Sequence, residues 1–276
     1  MLRKATQADL DALLVLRHRV SGGSRSEIAG WLENIVGLDN VLLVEQETPQ
    51  ENRLVAMLCA VPVDTRGHRG LWLCGMTTVP EFKGHGLMAK LLDGCLRAFA
   101  ASGLEFAVAV PESGTMADQL RNLQFEDAFP LRLLRRPIPH NLWARAEFDA
   151  MTARRLMDTR LYYQPGCITL PRSGMNEIVS QLYHRGATIV SNKRGYGIYY
   201  QKGEELQFIE LQADNDHSAD VLLEAARERT GCEQASIILT ENQSLYLGEG
   251  KRCGYGLLRF LNKPFPLTDV YFRLLV

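Results

Sequence analysis

Apolar positions along the chain alternate between runs of period two and stretches of period near 3.6, a pattern that predicts interleaved strands and helices. "LRKAT" reads as a short edge strand, and Thr6 with Asp9 gives a T-x-x-D start for a helix carrying Leu10, Leu13, Leu14 and Arg17. A second helix is predicted over Ser26 to Ile35, begun by Ser26 and stopped near Gly37. "NVLLVEQE" and "RLVAMLCAVPV" read as strands joined by the polar turn "TPQEN", and "GLWLCGMTTV" as a buried strand ended by Pro80. From Gly86 the period changes: Leu87, Met88, Leu91, Leu92, Cys95, Leu96 and Phe99 share one helical face, closed by Gly103. "LEFAVAVP" suits a buried parallel strand, followed by a short helix near Thr115 to Asn122 and a strand near Phe125 to Leu134.

The Pro-rich "RRPIPHN" marks a boundary. The expected division is a first domain over 1–135, a bridging segment over 136–171 with a helix and a strand, and a second domain over 172–276. That second part carries a helix at Arg172 to Arg185 and the strands "ATIVS", "GYGIYYQK" and "EELQFIELQA", the last two separated by a Gly203-Glu204 turn. A helix at Ser218 to Arg229 and the strands "ASIILT" and "GYGLLRFLN" complete it. The order strand-strand-helix-strand repeats the later part of the first domain, so a degenerate internal repeat is expected. The whole reads as an α/β (α+β) protein.

Composition narrows the function classes. The 276 residues are 46% hydrophobic and 23% charged with a formal net charge of -1, which gives no argument for a nucleic-acid or membrane partner. No apolar run approaches the roughly 18 residues that span a bilayer. "MLRKATQADLDALL" has no long apolar core or cleavage site, so a secretory signal is not expected and a cytoplasmic location is. The six cysteines are scattered with no C-x-x-C pair, and the histidines show no H-x-x-x-H spacing. Reduced structural thiols and the absence of a metal site are therefore expected.

The stretch with chemistry is "VPEFKGHGLMAKLL". Gly84 and Gly86 fall where a strand turns into a helix, whose first N–H groups are unpaired and carry partial positive charge. Such a helix start suits a phosphate or pyrophosphate, and Lys83 adds a formal positive charge. The stretch is neither a P-loop nor a complete G-x-G-x-x-G fingerprint.

"MTTVPEFKGHGLMAKLL" resembles the acetyl-CoA-binding motif of the GNAT N-acetyltransferase superfamily, V-x-P-x-[YF]-[RQ]-G-x-G-[ILM]-[GAM], with Pro80, Phe82, Lys83, Gly84 and Gly86 at matching places. The "GLM" ending and the strand-rich second half make the chain most similar to the two-domain, Eis-like branch. The resemblance implies a GNAT fold with a mixed, splayed central sheet, followed by a smaller GNAT-like domain. It implies acetyl-CoA as co-substrate, its pantetheine on backbone groups around Met76 and Thr78, and its pyrophosphate on N–H groups from Gly84 through His85, Gly86 and Leu87 to Met88. The acceptor would be a primary amine of a small molecule or protein, and oligomerisation is left open.

The chain departs from the family pattern in three places. Lys83 replaces the usual Arg or Gln, and Met88 stands where the broader superfamily prefers Gly or Ala. Leu120 occupies the position at which many relatives carry a tyrosine general acid, with Gln124 in place of a following Gly. A non-catalytic acyl-CoA-binding or sensing module is therefore the alternative to an acetyltransferase. Glu112, at the end of the fifth strand, is the candidate general base. Arg135 and Arg136 are candidates for a 3′-phosphate patch, and Tyr162, Tyr163, Tyr196, Tyr199 and Tyr200 for an acceptor pocket. In Eis-like enzymes the terminal carboxylate reaches the active site, which would make Val276 a second candidate base.

Overall fold

A computed structural model of the chain describes residues 2–47 and 52–275. Most of the turn expected at "TPQEN" and the terminal Val276 lie outside the described residues. In chain order the elements are β1 (Leu2–Lys4), α1 (Leu10–Ser21), α2 (Arg25–Gly30), β2 (Val41–Glu47), β3 (Asn52–Thr65), β4 (His68–Thr78), α3 (Leu87–Ala101), β5 (Phe106–Ala109) and α4 (Gly114–Asn122). There follow β6 (Glu126–Pro137), β7 (Glu147–Phe148), α5 (Ala153–Tyr163), α6 (Arg172–His184), β8 (Thr188–Asn192), β9 (Gly195–Lys202), β10 (Glu205–Ala213), α7 (Asp216–Thr230), β11 (Gln234–Thr240) and β12 (Lys251–Phe260).

The chain forms two compact units that are not contiguous in sequence. The first holds residues 1–128, 169–177 and 256–265, the second 129–168, 178–255 and 266–276.

In the first unit β1, β2, β3 and β4 pair antiparallel in order, β4 pairs parallel with β5, and Leu257 to Phe260 of β12 pair antiparallel with β5. The crossover from β4 to β5 is α3, as a parallel pair requires. Its Leu91, Leu92, Cys95 and Leu96 pack on Leu58 and Ala60 of β3, Leu71 and Leu73 of β4 and Ala107 and Ala109 of β5. On the other side of the chain's start, Asp9 accepts from the Thr6 backbone N–H at 2.8 Å and also binds Arg3. That guanidinium holds the Asp9 carboxyl well below the usual carboxylate range. The second helix begins one turn-signal earlier than Ser26. Ser24 is the N-cap, accepting from Glu27 N–H, while the Ser24 N–H donates to Glu27 at 2.9 Å, a reciprocal capping box. After Gly30 it continues as a π-helical turn over Trp31–Val36, a geometry frequent at functional sites.

The second unit repeats this pairing. Strands β8, β9 and β10 are antiparallel in order, β10 is parallel to β11 across the α7 crossover, and residues 131–137 of β6 pair antiparallel with β11. Its core lies between α7 and the sheet, where Leu222, Leu223 and Ala226 meet Phe208, Leu211, Ile237 and Leu239.

One charged pair is buried in this unit. Arg160 donates to Glu210 at 2.9 Å with both side chains almost wholly enclosed, and Tyr196 donates to the other Glu210 oxygen. Arg160 also donates to the Arg273 carbonyl and lies under the Tyr271 ring, tying the C-terminal segment to α5 and β10. Burial and then the Glu210 charge push the Tyr196 and Tyr271 hydroxyls far above the usual phenol range, so both stay protonated donors. Removing one member of such a pair strands the other charge. Glu210→Gln is expected to cost about 3–5 kcal/mol in urea unfolding, and the Arg160→Met/Glu210→Leu double variant far less. A single variant as stable as the parent would contradict this account of the pair.

Candidate functional site

The site is set by where β4 stops pairing. Met57 of β3 faces Thr77 and Cys59 faces Cys74, so a two-residue step on β3 spans three residues of β4. This is a β-bulge, and it shifts the alternation: Leu71 and Leu73 face α3, and Met76 rather than Gly75 packs next against that core. Gly75 takes φ 61°, and a Cβ there would come within 2.7 Å of the Trp31 indole and 2.9 Å of Cys59 Sγ. Glycine is required at this point both for the conformation and for the indole's contact.

Pairing of β4 with β5 runs from Gly70↔Phe106 to Leu73↔Ala109 and goes no further among the described residues. The chain leaves β5 through Val110 and Pro111, and a proline cannot donate to a ladder. Residues 74–78 therefore keep a backbone edge on the β5 side with no strand partner among the described residues. Met76 and Thr78, both half-buried, lie on that edge.

Beyond Thr78 a short 3-10 turn over Pro80–Phe82 leads to Lys83, Gly84, His85 and Gly86, all exposed, and then to half-buried Leu87 and Met88. Gly84 has φ 83° and Gly86, the N-cap of α3, φ 70°, both in the left-handed region. A Cβ at either glycine would meet nothing within 4 Å. The glycines are therefore not forced by the protein's own packing. They leave open space over a helix start with no side-chain cap and no acidic residue in its first turn. The first intrahelical bond runs from Lys90 N–H to the Gly86 carbonyl, leaving the earlier N–H groups of the turn without helical partners. The nearby Glu81 is drawn off by Arg19 at 2.7 Å and Arg53 at 3.6 Å, and the Arg19 hydrogen bond holds its carboxyl below the usual range. An anion at the turn would thus meet N–H dipoles and Lys83 without an unpaired carboxylate opposite.

The second unit supplies an internal contrast. Strand β10 is bulged at the corresponding place, between Phe208 and Glu210, and pairs with β11 only through Phe208. Here the freed edge is filled: Gln243 donates to the Leu211 carbonyl at 2.7 Å and Arg273 to the Ile209 carbonyl at 3.2 Å. The start of α7 is closed as well, with the Asn215 side chain accepting from Ser218 N–H and Asp216 in the first turn. An anion would be repelled there.

At the diverging end, Glu112 is exposed and bonds Arg17 through Oε1 at 3.3 Å. Arg17 also donates to the buried Thr77 hydroxyl at 3.2 Å and lies on the Trp31 face at 5.0 Å. Sequence spacing alone could not show this pair, since 95 residues separate its members.

The remaining sequence candidates differ in their surroundings. Leu120 is fully buried in the core under α3, beside Cys95 and Phe125, not on an open wall. Arg135 pairs with Glu205, and Arg136 with Asp220 and the Leu247 carbonyl, all within the second unit. Of the five tyrosines, Tyr196 and Tyr199 are core residues, Tyr162 is exposed with its ring edge-on to Tyr163, Tyr163 donates to Asp214, and Tyr200 is half-buried. Burial pushes the Cys95 thiol up to about 11. Among the described residues no group of three or more His, Cys, Asp or Glu is placed to hold a metal ion, and no helix is long and apolar enough to cross a membrane.

A family model described as an acetyltransferase (GNAT) domain matches residues 1–120. This part of the chain is a GNAT domain. No curated protein matches the chain by sequence. Solved structures similar in fold include a GCN5-related N-acetyltransferase from Kribbella flavida, at TM-score 0.71 and 19% identity over 95% of this chain and 72% of that one. One from Anabaena variabilis superposes at TM-score 0.69 with 15% identity, covering 95% and 73%. Eis1 from Mycobacterium abscessus superposes at 0.66 with 12% identity, covering 95% and 74%. The likeness of fold to these GNAT structures extends over the second unit as well as the first.

Within the GNAT domain, Leu120→Tyr tests whether a tyrosine acid can be put back. The larger ring has no room, so the expected result is a loss of about 1–3 kcal/mol in stability and no gain in turnover. Parent-like stability with faster thiol release would place this position on the site instead.

Proposed function

We propose that the chain transfers an acetyl group from acetyl-CoA to a primary amine. The observation that carries this reading is the pairing of two features in sequence: an unpartnered edge on β4, and immediately after it an uncapped helix start opened by Gly84 and Gly86. The edge fits an extended, amide-bearing arm such as pantetheine, which would add to the sheet as a strand does. Backbone groups at Met76 and Thr78 are assigned that role. N–H groups of Gly84, His85, Gly86, Leu87 and Met88 are assigned the pyrophosphate, with Lys83 contributing charge.

This orientation runs the thioester end toward the bulge at Cys74 and Gly75. Amides turned out of register by the bulge would polarise the thioester carbonyl. The neutral amine attacks that carbon, the C–N bond forms, and the C–S bond breaks with its electrons leaving on the CoA thiolate. The surplus proton of the amine passes to Glu112 or to water. A thiolate is a far weaker base than an alkoxide, so it can depart near neutral pH without a tyrosine donor, at some cost in rate.

A second reading, an acyl-CoA-binding or sensing module, rests on Leu120 being sealed in the core where an acid would otherwise be sought. Calorimetry with acetyl-CoA and a thiol-release assay over an amine panel separate the two. Binding with turnover supports the transferase; binding with no thiol release on any amine supports the module.

For the cofactor site itself, Gly86→Val should weaken acetyl-CoA binding at least tenfold, about 1.4 kcal/mol, because the side chain fills the open turn. A folded Gly86→Val protein that binds acetyl-CoA as tightly as the parent would remove the assignment.

A further inference from the structure

Arg17 is held by two contacts and poorly satisfied at a third. Its side chain is only 15% exposed. One Nη donates to Thr77 Oγ1 at 3.2 Å, and the guanidinium plane lies on Trp31 at 5.0 Å. The indole is fixed in turn by its rest on the glycine bulge of β4. The other Nη reaches a single oxygen of Glu112 at 3.3 Å, and Glu112 is 53% exposed at the end of a loop. No other acceptor for this guanidinium is present among the described residues.

A guanidinium largely out of water is best satisfied by a planar carboxylate held through two parallel bonds at about 2.7–2.9 Å. Glu112 supplies a longer, one-oxygen contact from a solvent-washed loop. It is a partner that can be exchanged. Thr77 ties Arg17 to the unpaired segment of β4, one or two residues from the bulge, so the exchange would take place beside the thioester end of the cofactor groove.

We propose that Arg17 selects the acceptor, and that the acceptor is a small amino acid, a primary amine bearing a carboxylate in the same molecule. The carboxylate takes the guanidinium in a two-bond clamp and displaces Glu112, and the amine is left pointing along β4 toward the bulge. The released Glu112 carboxylate is then free to take the proton the amine must lose. This deepens the acetyl-transfer reading and rests on it for the location of the thioester.

The test separates the two. Product-like pairs, the N-acetyl forms of glycine, phenylalanine, glutamate and lysine each against its carboxamide, are titrated into the full chain by calorimetry. Thiol release from acetyl-CoA is followed with the parent amino acids and their amides. At least one acid should bind about tenfold or more tighter than its amide, because an amide offers the guanidinium one neutral oxygen in place of a charged two-oxygen acceptor. Arg17→Lys, which keeps the charge and most of the stem but loses the fork, should reduce that ratio several-fold, and Arg17→Gln should abolish it. Acetyl-CoA affinity should stay at the parent value in both. Equal or undetectable binding of every acid–amide pair by the parent overturns the proposal, whatever the stability of the variants. So does a preference that survives Arg17→Gln. An acid preference that depends on Arg17, found without thiol release on any amine, upholds the carboxylate site and overturns the acetyl-transfer reading instead.

Discussion

Strand β4 has hydrogen-bonding partners on its β5 side only as far as Leu73, and the backbone groups of residues 74–78 beyond that point must be satisfied by something other than sheet. The cause is local: an extra residue at the bulge turns the strand, and Pro111 ends the ladder on the neighbour. The consequences reach further. The open edge of β4 lies between two features: the bulge with Trp31, Arg17 and Glu112 precedes it and the glycine turn follows it. The proposed cofactor site depends on this one missing stretch of pairing.

The second unit shows what the same topology does when the gap is closed from within. Its strand β10 bulges and parts from β11 as β4 does from β5, but Gln243 and Arg273 bond the exposed carbonyls. Asn215 and Asp216 close the following helix start with oxygen and negative charge. The buried Arg160–Glu210 pair holds the segment that carries Arg273 in place. One arrangement of strands is thus left open at its edge and helix start in one unit and closed from within in the other. The difference lies in side chains at a helix cap and along one strand edge, not in the fold.

Much of this was legible in the sequence, and what was not has identifiable reasons. The glycine turn, the helix after it and the strand before it are local features, and their spacing placed them within a residue or two. The repeat of strand-strand-helix-strand was visible for the same reason. Leu120 was legible in part: it lies three residues after Ala117 on the buried face of α4, but its identity as core depends on Phe125 and Cys95 arriving from elsewhere. The start of α2 at Ser24 was missed because Ser26 offers the same side chain, and only the reciprocal bond with Glu27 distinguishes them. The bulge could not be read, since it is a mismatch in count between two strands. Nor could the Arg17–Thr77–Glu112 cluster or the Arg160–Glu210 pair, whose members are brought together by the sheet. The pairing of β12 with β5 joins residues about 150 positions apart and has no local signature.

The central claim is that the ligand site is built from backbone on β4 and the start of α3. Amide hydrogen exchange with and without saturating acetyl-CoA measures that backbone directly. Addition of acetyl-CoA should slow exchange in peptides covering residues 74–78 and 84–88 and leave the corresponding residues of the second unit, 209–218, unchanged. Protection confined to the second unit, or acetyl-CoA binding with no slowing at either segment of the first, would contradict the account.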